Sequence, residues 1–223
     1  MAGPIADVAL IDNSDERAPL VLVLDCSGSM EGERIRLLNS GLQALEQDLK
    51  SDPITAKRGR VLVITYGGDD QVTMDPWQDA MDFTAPVLAA NGRTPMAAAV
   101  VAALDAIEAQ KAEMRSAGVS YKRPIMMLMS DGNPTDEWEN VAERCRAAER
   151  AKQVNVMAVA VGDDADKGVL DQFSAKQAVK LDGLKFKELF IWLSQSVRAV
   201  SRAAKGEVAQ LPAASGWMQM GTD

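Results

Sequence analysis

Histidine is missing altogether from these 223 residues. That removes the commonest general base, the middle partner of Ser-His-Asp catalysis and the commonest transition-metal ligand. Cysteine is scarce: Cys26 and Cys145 alone make neither a disulfide framework nor a zinc cluster. A reducing cytoplasm is the simplest compartment for such a chain. No apolar run reaches the roughly 18 residues of a membrane helix, so no membrane span is expected. The opening MAGPIADVAL has neither the basic residue nor the long apolar stretch of a secretory leader. Positive charge is also in deficit, with 24 Lys and Arg against 32 Asp and Glu. The resulting net charge of −8 argues against a nucleic-acid partner and is no obstacle to binding a cation.

What is present is a set of near-continuous apolar runs: PLVLVLD (19–25), RVLVITY (60–66), RPIMMLMSD (123–131) and VNVMAVAVG (154–162). Parallel strands covered on both faces require such runs. Between them, apolar residues fall at helical spacing: Ile35, Leu38, Leu42, Leu45 and Leu49; Met96, Val100, Leu104 and Ile107; Phe186, Phe190, Leu193, Val197 and Val200. The first of these helices stops at Asp52-Pro53. GGDDQVTM (67–74) reads as a tight turn, with Asp69 and Asp70 in it, leading into a short antiparallel edge strand. A last short strand is expected within AVKLD (178–182). The alternation predicts an α/β fold: a doubly wound, mostly parallel six-stranded sheet with helices on both faces and one antiparallel edge strand. One domain is expected over 18–205, between an N-terminal extension (1–17) and an irregular C-terminal tail (206–223), neither of which shows periodicity.

Ligands of open α/β sheets sit beyond the carboxyl ends of the strands. Asp25 ends the first run, and Ser27 and Ser29 follow it at every second position. Asp131 ends the third run, and the loop NGRTP (91–95) carries Thr94 to the start of a helix. Together these are five oxygen donors with no nitrogen or sulfur, a set suited to Mg²⁺ and next to Mn²⁺ or Ca²⁺. Three are neutral hydroxyls, so the ion's charge is incompletely offset. A coordination position left to water would then attract a carboxylate from outside.

D-x-S-x-S at 25–29, Thr94 after a glycine and Asp131-Gly132 after a strand together resemble the metal-ion-dependent adhesion site of von Willebrand factor A domains. The resemblance spans about residues 19–200 and implies strand order 3-2-1-4-5-6. It implies Asp25, Ser27, Ser29, Thr94 and Asp131 as ion ligands, some through water, and a protein partner that supplies a carboxylate to the metal. SDGNPTDEW (130–138), KELFIWLSQSVRAVS (187–201) and LPAASGW (211–217) resemble, more narrowly, the tellurium-resistance TerY group. That resemblance implies a bacterial stress operon and work beside a Ser/Thr kinase and a protein phosphatase. Arg93 stands where that group usually has glycine, and no Cys-rich zinc module is expected after the domain, since residues 206–223 hold no cysteine. Similar domains also travel in toxin and phage-defence operons.

Several residues have a competing role. Asp25, Ser27 and Ser29 could form a polar turn, and Asp131-Gly132 a plain one. Thr94-Pro95 before an apolar helix reads as an N-cap with proline at the first helical position. Asp136 with Glu139 reads as the capping box of the next helix, not as a metal ligand. Cys26, Cys145 and the strand methionines read as core. Trp138 and Arg93 are candidates for the rim that meets a partner; packing is the alternative for Trp138 and solvent for Arg93. A nucleophile elbow and a phosphate loop are both missing from the sequence. The alternative to a non-enzymatic binding domain is a Mg²⁺-dependent phosphohydrolase with Asp25 as nucleophile, but Ser27 stands where such enzymes usually place a second aspartate.

Overall fold

β1 (Ala18–Cys26) is buried along its whole length, and the alternation of its side chains explains its composition. Leu20, Leu22 and Leu24 face one layer, with Leu38, Leu42, Leu45 and Leu49 of α1 (Glu33–Ser51) and Phe186, Phe190, Leu193 and Val197 of α6 (Phe186–Arg202). Val21 and Val23 face the other layer, with Met96, Val100, Leu104 and Ile107 of α3 (Met96–Ser116) and Ala142 and Cys145 of α4 (Glu139–Arg150). A strand covered on both faces has no polar side, which is why helices flank the sheet on both sides. The computed structural model describes Leu10 and residues 13–68, 71–131, 133–204, 207, 209–214 and 216–219. Asp69 and Asp70 therefore lie outside the described residues.

The remaining strands are β2 (Gly59–Gly67), β3 (Gln71–Met74), β4 (Gln78–Asp79), β5 (Ile125–Ser130), β6 (Asn155–Ala160) and β7 (Val179–Lys180). The sheet order is β3-β2-β1-β5-β6-β7, the expected order, with β3 antiparallel at one edge. β4 is an addition to the six expected strands: its two residues pair antiparallel with β2. A two-residue strand carries no periodicity to read. Pro53 both ends α1 and begins α2 (Pro53–Arg58), whose first turn is capped by the Asp52 carboxylate accepting from the Thr55 N–H at 2.9 Å. A short α5 (Lys167–Leu170) follows β6.

α1 and α6 cross closely. A Cβ on Gly41 would come within 2.6 Å of the Phe190 ring, so glycine permits the approach. Ion pairs from Arg198 and Arg202 to Asp52 fix the far end of α6 to the α1–α2 junction. The C-terminal stretch is irregular but docked. Trp217 is buried with its ring 5.1 Å from that of Trp192, whose indole N–H donates to the Pro212 carbonyl at 2.9 Å. Met218 bridges to Leu181 beside β7.

Candidate metal centre

The carboxyl ends of β1, β2 and β5 lie side by side, with Asp25 in register with Tyr66 and Leu24 with Met129. This puts the Asp25 carboxylate against Ser130. The Ser130 hydroxyl donates to Oδ2 at 2.7 Å, and the Ser27 N–H donates to Oδ1 at 2.8 Å. The Ser27 and Ser29 hydroxyl oxygens are 2.9 Å apart. Met30 closes a 3-10 turn (Gly28–Met30) and anchors it in the core. Along the motif the oxygens climb outward: Asp25 and Ser27 are buried and Ser29 is exposed.

The second loop is bonded to the first. The Asn91 N–H donates to the Cys26 carbonyl at 2.9 Å and the Gly28 N–H to the Gly92 carbonyl at 3.0 Å. Gly92 has φ 71°, and a Cβ there would stand 1.3 Å from the Gly68 carbonyl oxygen, so no other residue fits. Thr94 is buried two residues later. The third loop begins at Asp131, also buried, which accepts from the Asn133 N–H at 3.3 Å. It is tied to the second where the Thr94 N–H donates to the Thr135 hydroxyl at 3.2 Å and the Thr135 N–H to the Thr94 carbonyl at 2.9 Å. The loops carrying Asp25, Ser27, Ser29, Thr94 and Asp131 are thus linked to one another at one edge of the sheet. Gly132 lies outside the described residues.

Burial pushes the Asp25 carboxyl above the usual carboxylate range, the hydrogen bonds from Ser27 and Ser130 oppose this, and the nearby Asp131 charge adds to it. The groups that donate to the two carboxylates are neutral: the Ser27 N–H and Ser130 hydroxyl to Asp25 and the Asn133 N–H to Asp131. Two buried carboxylates of like charge held by neutral donors are poorly compensated, and a divalent cation would supply the missing charge. Among the described residues no three His, Cys, Asp or Glu gather. The donor set is instead two carboxylates and three hydroxyls, which fits a hard cation of the Mg²⁺ type.

Two expectations at the loops are corrected. Thr94 does not cap α3: its N-cap is Pro95, and no side chain opening that helix makes a capping bond. Asp136 does not open α4, which begins at Glu139 with Trp138 at its N-cap. Asp136 reaches instead to α3, accepting from the Ala97 N–H at 3.1 Å and the Ala98 N–H at 2.9 Å. Sequence patterns score caps only within a helix's own flanks, so a cap lent by another loop escapes them. Ser130 was also missed. Its only signal is a hydroxyl closing an otherwise apolar strand.

At the rim, Arg93 is exposed. Trp138 is half-buried, its ring 5.9 Å from that of Phe173. Arg34 reaches the Ser29 carbonyl at 3.3 Å and pairs with Asp164 at 2.6 Å, joining the first loop to the segment after β6. Beneath, the Tyr66 hydroxyl donates to the Met129 carbonyl at 3.0 Å. Both cysteines are buried free thiols pushed up to about 12, by burial first and then by the charge of Asp25 for Cys26 and of Glu149 for Cys145. The native protein is therefore expected to resist a disulfide-exchange reagent at pH 8, and both thiols should react once it is unfolded in guanidinium. Rapid labelling of either in the native state would contradict the packing.

Residues 20–187 match the family described as von Willebrand factor type A domain. Among solved structures, proximal thread matrix protein 1 from the mussel byssus is similar with TM-score 0.56 and 14% identity over 83% of this chain and 49% of that one. A further structure of that mussel protein, with a zinc-occupied MIDAS motif, has the same figures. The pilus adhesin SpaC from Lactobacillus rhamnosus GG gives TM-score 0.62 and 14% identity over 85% of this chain and 31% of that one. Such identities speak for the fold alone, and the chain spans about half of the first protein and a third of the second. No curated protein matches the chain. Among the described residues, no helix is long and apolar enough to cross a membrane.

Proposed function

We propose that this chain, which belongs to the von Willebrand factor type A domain family, is a binding module that uses a Mg²⁺-type cation to capture a protein partner. The observation that carries this reading is the pair of buried carboxylates, Asp25 and Asp131, which accept from neutral donors at a site that opens to solvent at Ser29. Asp25, Ser27, Ser29, Thr94 and Asp131 would hold the ion, with Mn²⁺ or Ca²⁺ as possible substitutes for Mg²⁺. A bound ion of this kind supplies a Lewis-acid position that an acidic side chain of the partner can fill. An adhesin and a matrix protein with zinc in its MIDAS motif share the fold, which supports the same use of it here. Ser130 positions Asp25 by its hydrogen bond, as groups behind a metal ligand commonly do. Binding is favoured over phosphohydrolysis because Ser27 occupies the place where such enzymes usually carry the acid–base aspartate.

The finer reading is a cytoplasmic bacterial tellurium-resistance or stress complex with a Ser/Thr kinase and a protein phosphatase. Support comes from the TerY-like stretches. Two of them pack on each other as one feature, Trp192 of α6 against Pro212 and Trp217 of the tail. The proposed module is residues 18–205, with Pro212, Trp217 and Met218 of the tail packed on it. Arg93 and Trp138 are proposed for the rim, where a guanidinium can pair bidentately with a partner carboxylate or phosphate. Affinity capture from a bacterium carrying the gene, with Mg²⁺ present and elution by chelator, tests the proposal. Partners should elute with the chelator and be lost in Asp25→Asn. Arg93→Ala should weaken capture while keeping the metal response. Capture indifferent to chelator would sink metal-dependent binding, and chelator-released partners with no kinase or phosphatase among them would sink the finer reading.

A further inference from the structure

We infer that Asp136 is a positioning residue for the cation site: by capping α3 from the neighbouring loop, it frees the Thr94 hydroxyl from capping and leaves it to the ion. The inference rests on the reading of the site proposed above.

α3 runs for 21 residues, and its first residues, Met96 and Ala97, are buried. The N–H groups of its first turn have no partner within the helix and need acceptors from elsewhere. An N-cap side chain ordinarily accepts from the second or third of them. Here the N-cap is Pro95, which has no acceptor on its side chain. The nearest hydroxyl in sequence is that of Thr94, one residue earlier. Left alone, Thr94 would be drawn toward those amides, which is the capping role that its sequence context suggests.

Asp136 removes that demand. One carboxylate oxygen takes the Ala97 N–H and the other the Ala98 N–H, the second and third residues of the helix. The residue before it, Thr135, grips Thr94 by the main chain on both sides. Thr135 Oγ1 accepts the Thr94 N–H, and the Thr135 N–H donates to the Thr94 carbonyl. Four hydrogen bonds from two consecutive residues therefore fix the Thr94 backbone and the helix start, and the Thr94 hydroxyl takes part in none of them. The same stretch leads back to Asp131, so one loop supplies a proposed ligand and holds another.

The alternative is that Asp136 merely braces the fold or acts through its charge, and a double-substitution cycle separates these roles. Mn²⁺ is titrated into the full chain by calorimetry and by electron paramagnetic resonance of the free ion. The proteins are the unsubstituted chain, Asp136→Ala, Thr94→Ala and the double variant. Losing a group behind a ligand typically weakens metal binding about 10- to 100-fold, and Asp136→Ala should do so. Thr94→Ala should also weaken binding, and adding Asp136→Ala to it should cost almost nothing more. Asp136→Asn removes the charge and keeps one of the two oxygen acceptors, so it should bind between the unsubstituted chain and Asp136→Ala. In the chelated proteins, Asp136→Ala should lower the melting temperature less beside Thr94 than in the Thr94→Ala background, because the threonine can then cap. Equal fold-losses in both backgrounds would overturn the inference, as would Asp136→Ala with unchanged Mn²⁺ affinity. Absence of Mn²⁺ binding by the unsubstituted chain would instead overturn the reading of the site, and the inference with it.

Discussion

Asp25→Asn is expected to abolish the stabilisation that Mg²⁺ or Mn²⁺ gives the unsubstituted protein, and to leave the chelated protein at least as stable as wild type. A ligand that binds only the folded state stabilises it by RT ln(1 + [L]/Kd), about 2.7 kcal/mol at 100 times Kd. For a chain of 223 residues that is a rise in melting temperature of about 5–10 °C. Without metal, the Asp25 carboxylate is a liability: burial disfavours its charge and Asp131 repels it. Asparagine keeps the oxygen that accepts from the Ser27 N–H and removes the charge. Its amide N–H₂ then faces Ser130, whose hydroxyl can turn from donor to acceptor. The two effects have opposite signs, which separates a cation site from a structural carboxylate. A structural Asp25 would give a variant less stable under every condition. Scanning calorimetry of both proteins, with chelator and with excess Mg²⁺, distinguishes them, and a full metal shift in Asp25→Asn would remove Asp25 from the site.

Much of this arrangement was legible in the sequence because it depends on patterns of period and order. Leu20 to Leu24 had to be a strand covered on both sides, and that forced helices onto both faces. Asp25 and Asp131 end apolar runs, so a parallel sheet delivers both to one edge whatever the loops do between them. What stayed hidden depends on contacts between distant residues. Asp136 looks like the start of its own helix because sequence distance, not space, governs a capping pattern. Ser130 looks like the polar end of a strand until β1 is seen beside β5. β4 is two residues long, and it carries Asp79, which forms ion pairs with both Arg17 and Arg60.

Those two ion pairs carry the largest stability effect expected in the chain. Asp79→Ala should cost about 3–5 kcal/mol, the usual penalty for removing one partner from a buried charge network. Asp79 sits between two guanidinium groups: Arg17 reaches Oδ2 at 3.0 Å and Arg60 reaches Oδ1 at 2.6 Å. The two arginine side chains are 0% and 1% exposed, so neither can turn to water when the carboxylate is lost. Arg17 also donates to the Lys57 carbonyl at 2.8 Å, and Arg60 to Gln110 of α3 at 3.3 Å. Those neutral acceptors remain in Asp79→Ala but carry no charge to replace the lost carboxylate. The network stands at the amino ends of β1 and β2, whereas Asp25 stands at the carboxyl end of β1. A nine-residue strand separates the two by about 25 Å at roughly 3.3 Å per residue. Energies of sites this far apart add, so the metal-induced rise in stability should be unchanged in Asp79→Ala. Asp79→Asn should recover part of the loss, since it retains one acceptor for a guanidinium. Urea unfolding with and without Mg²⁺ measures both quantities at once. A loss below about 1 kcal/mol would place the pair with surface ion pairs of little worth, and a metal response that fell with stability would show that the two ends of the sheet are coupled.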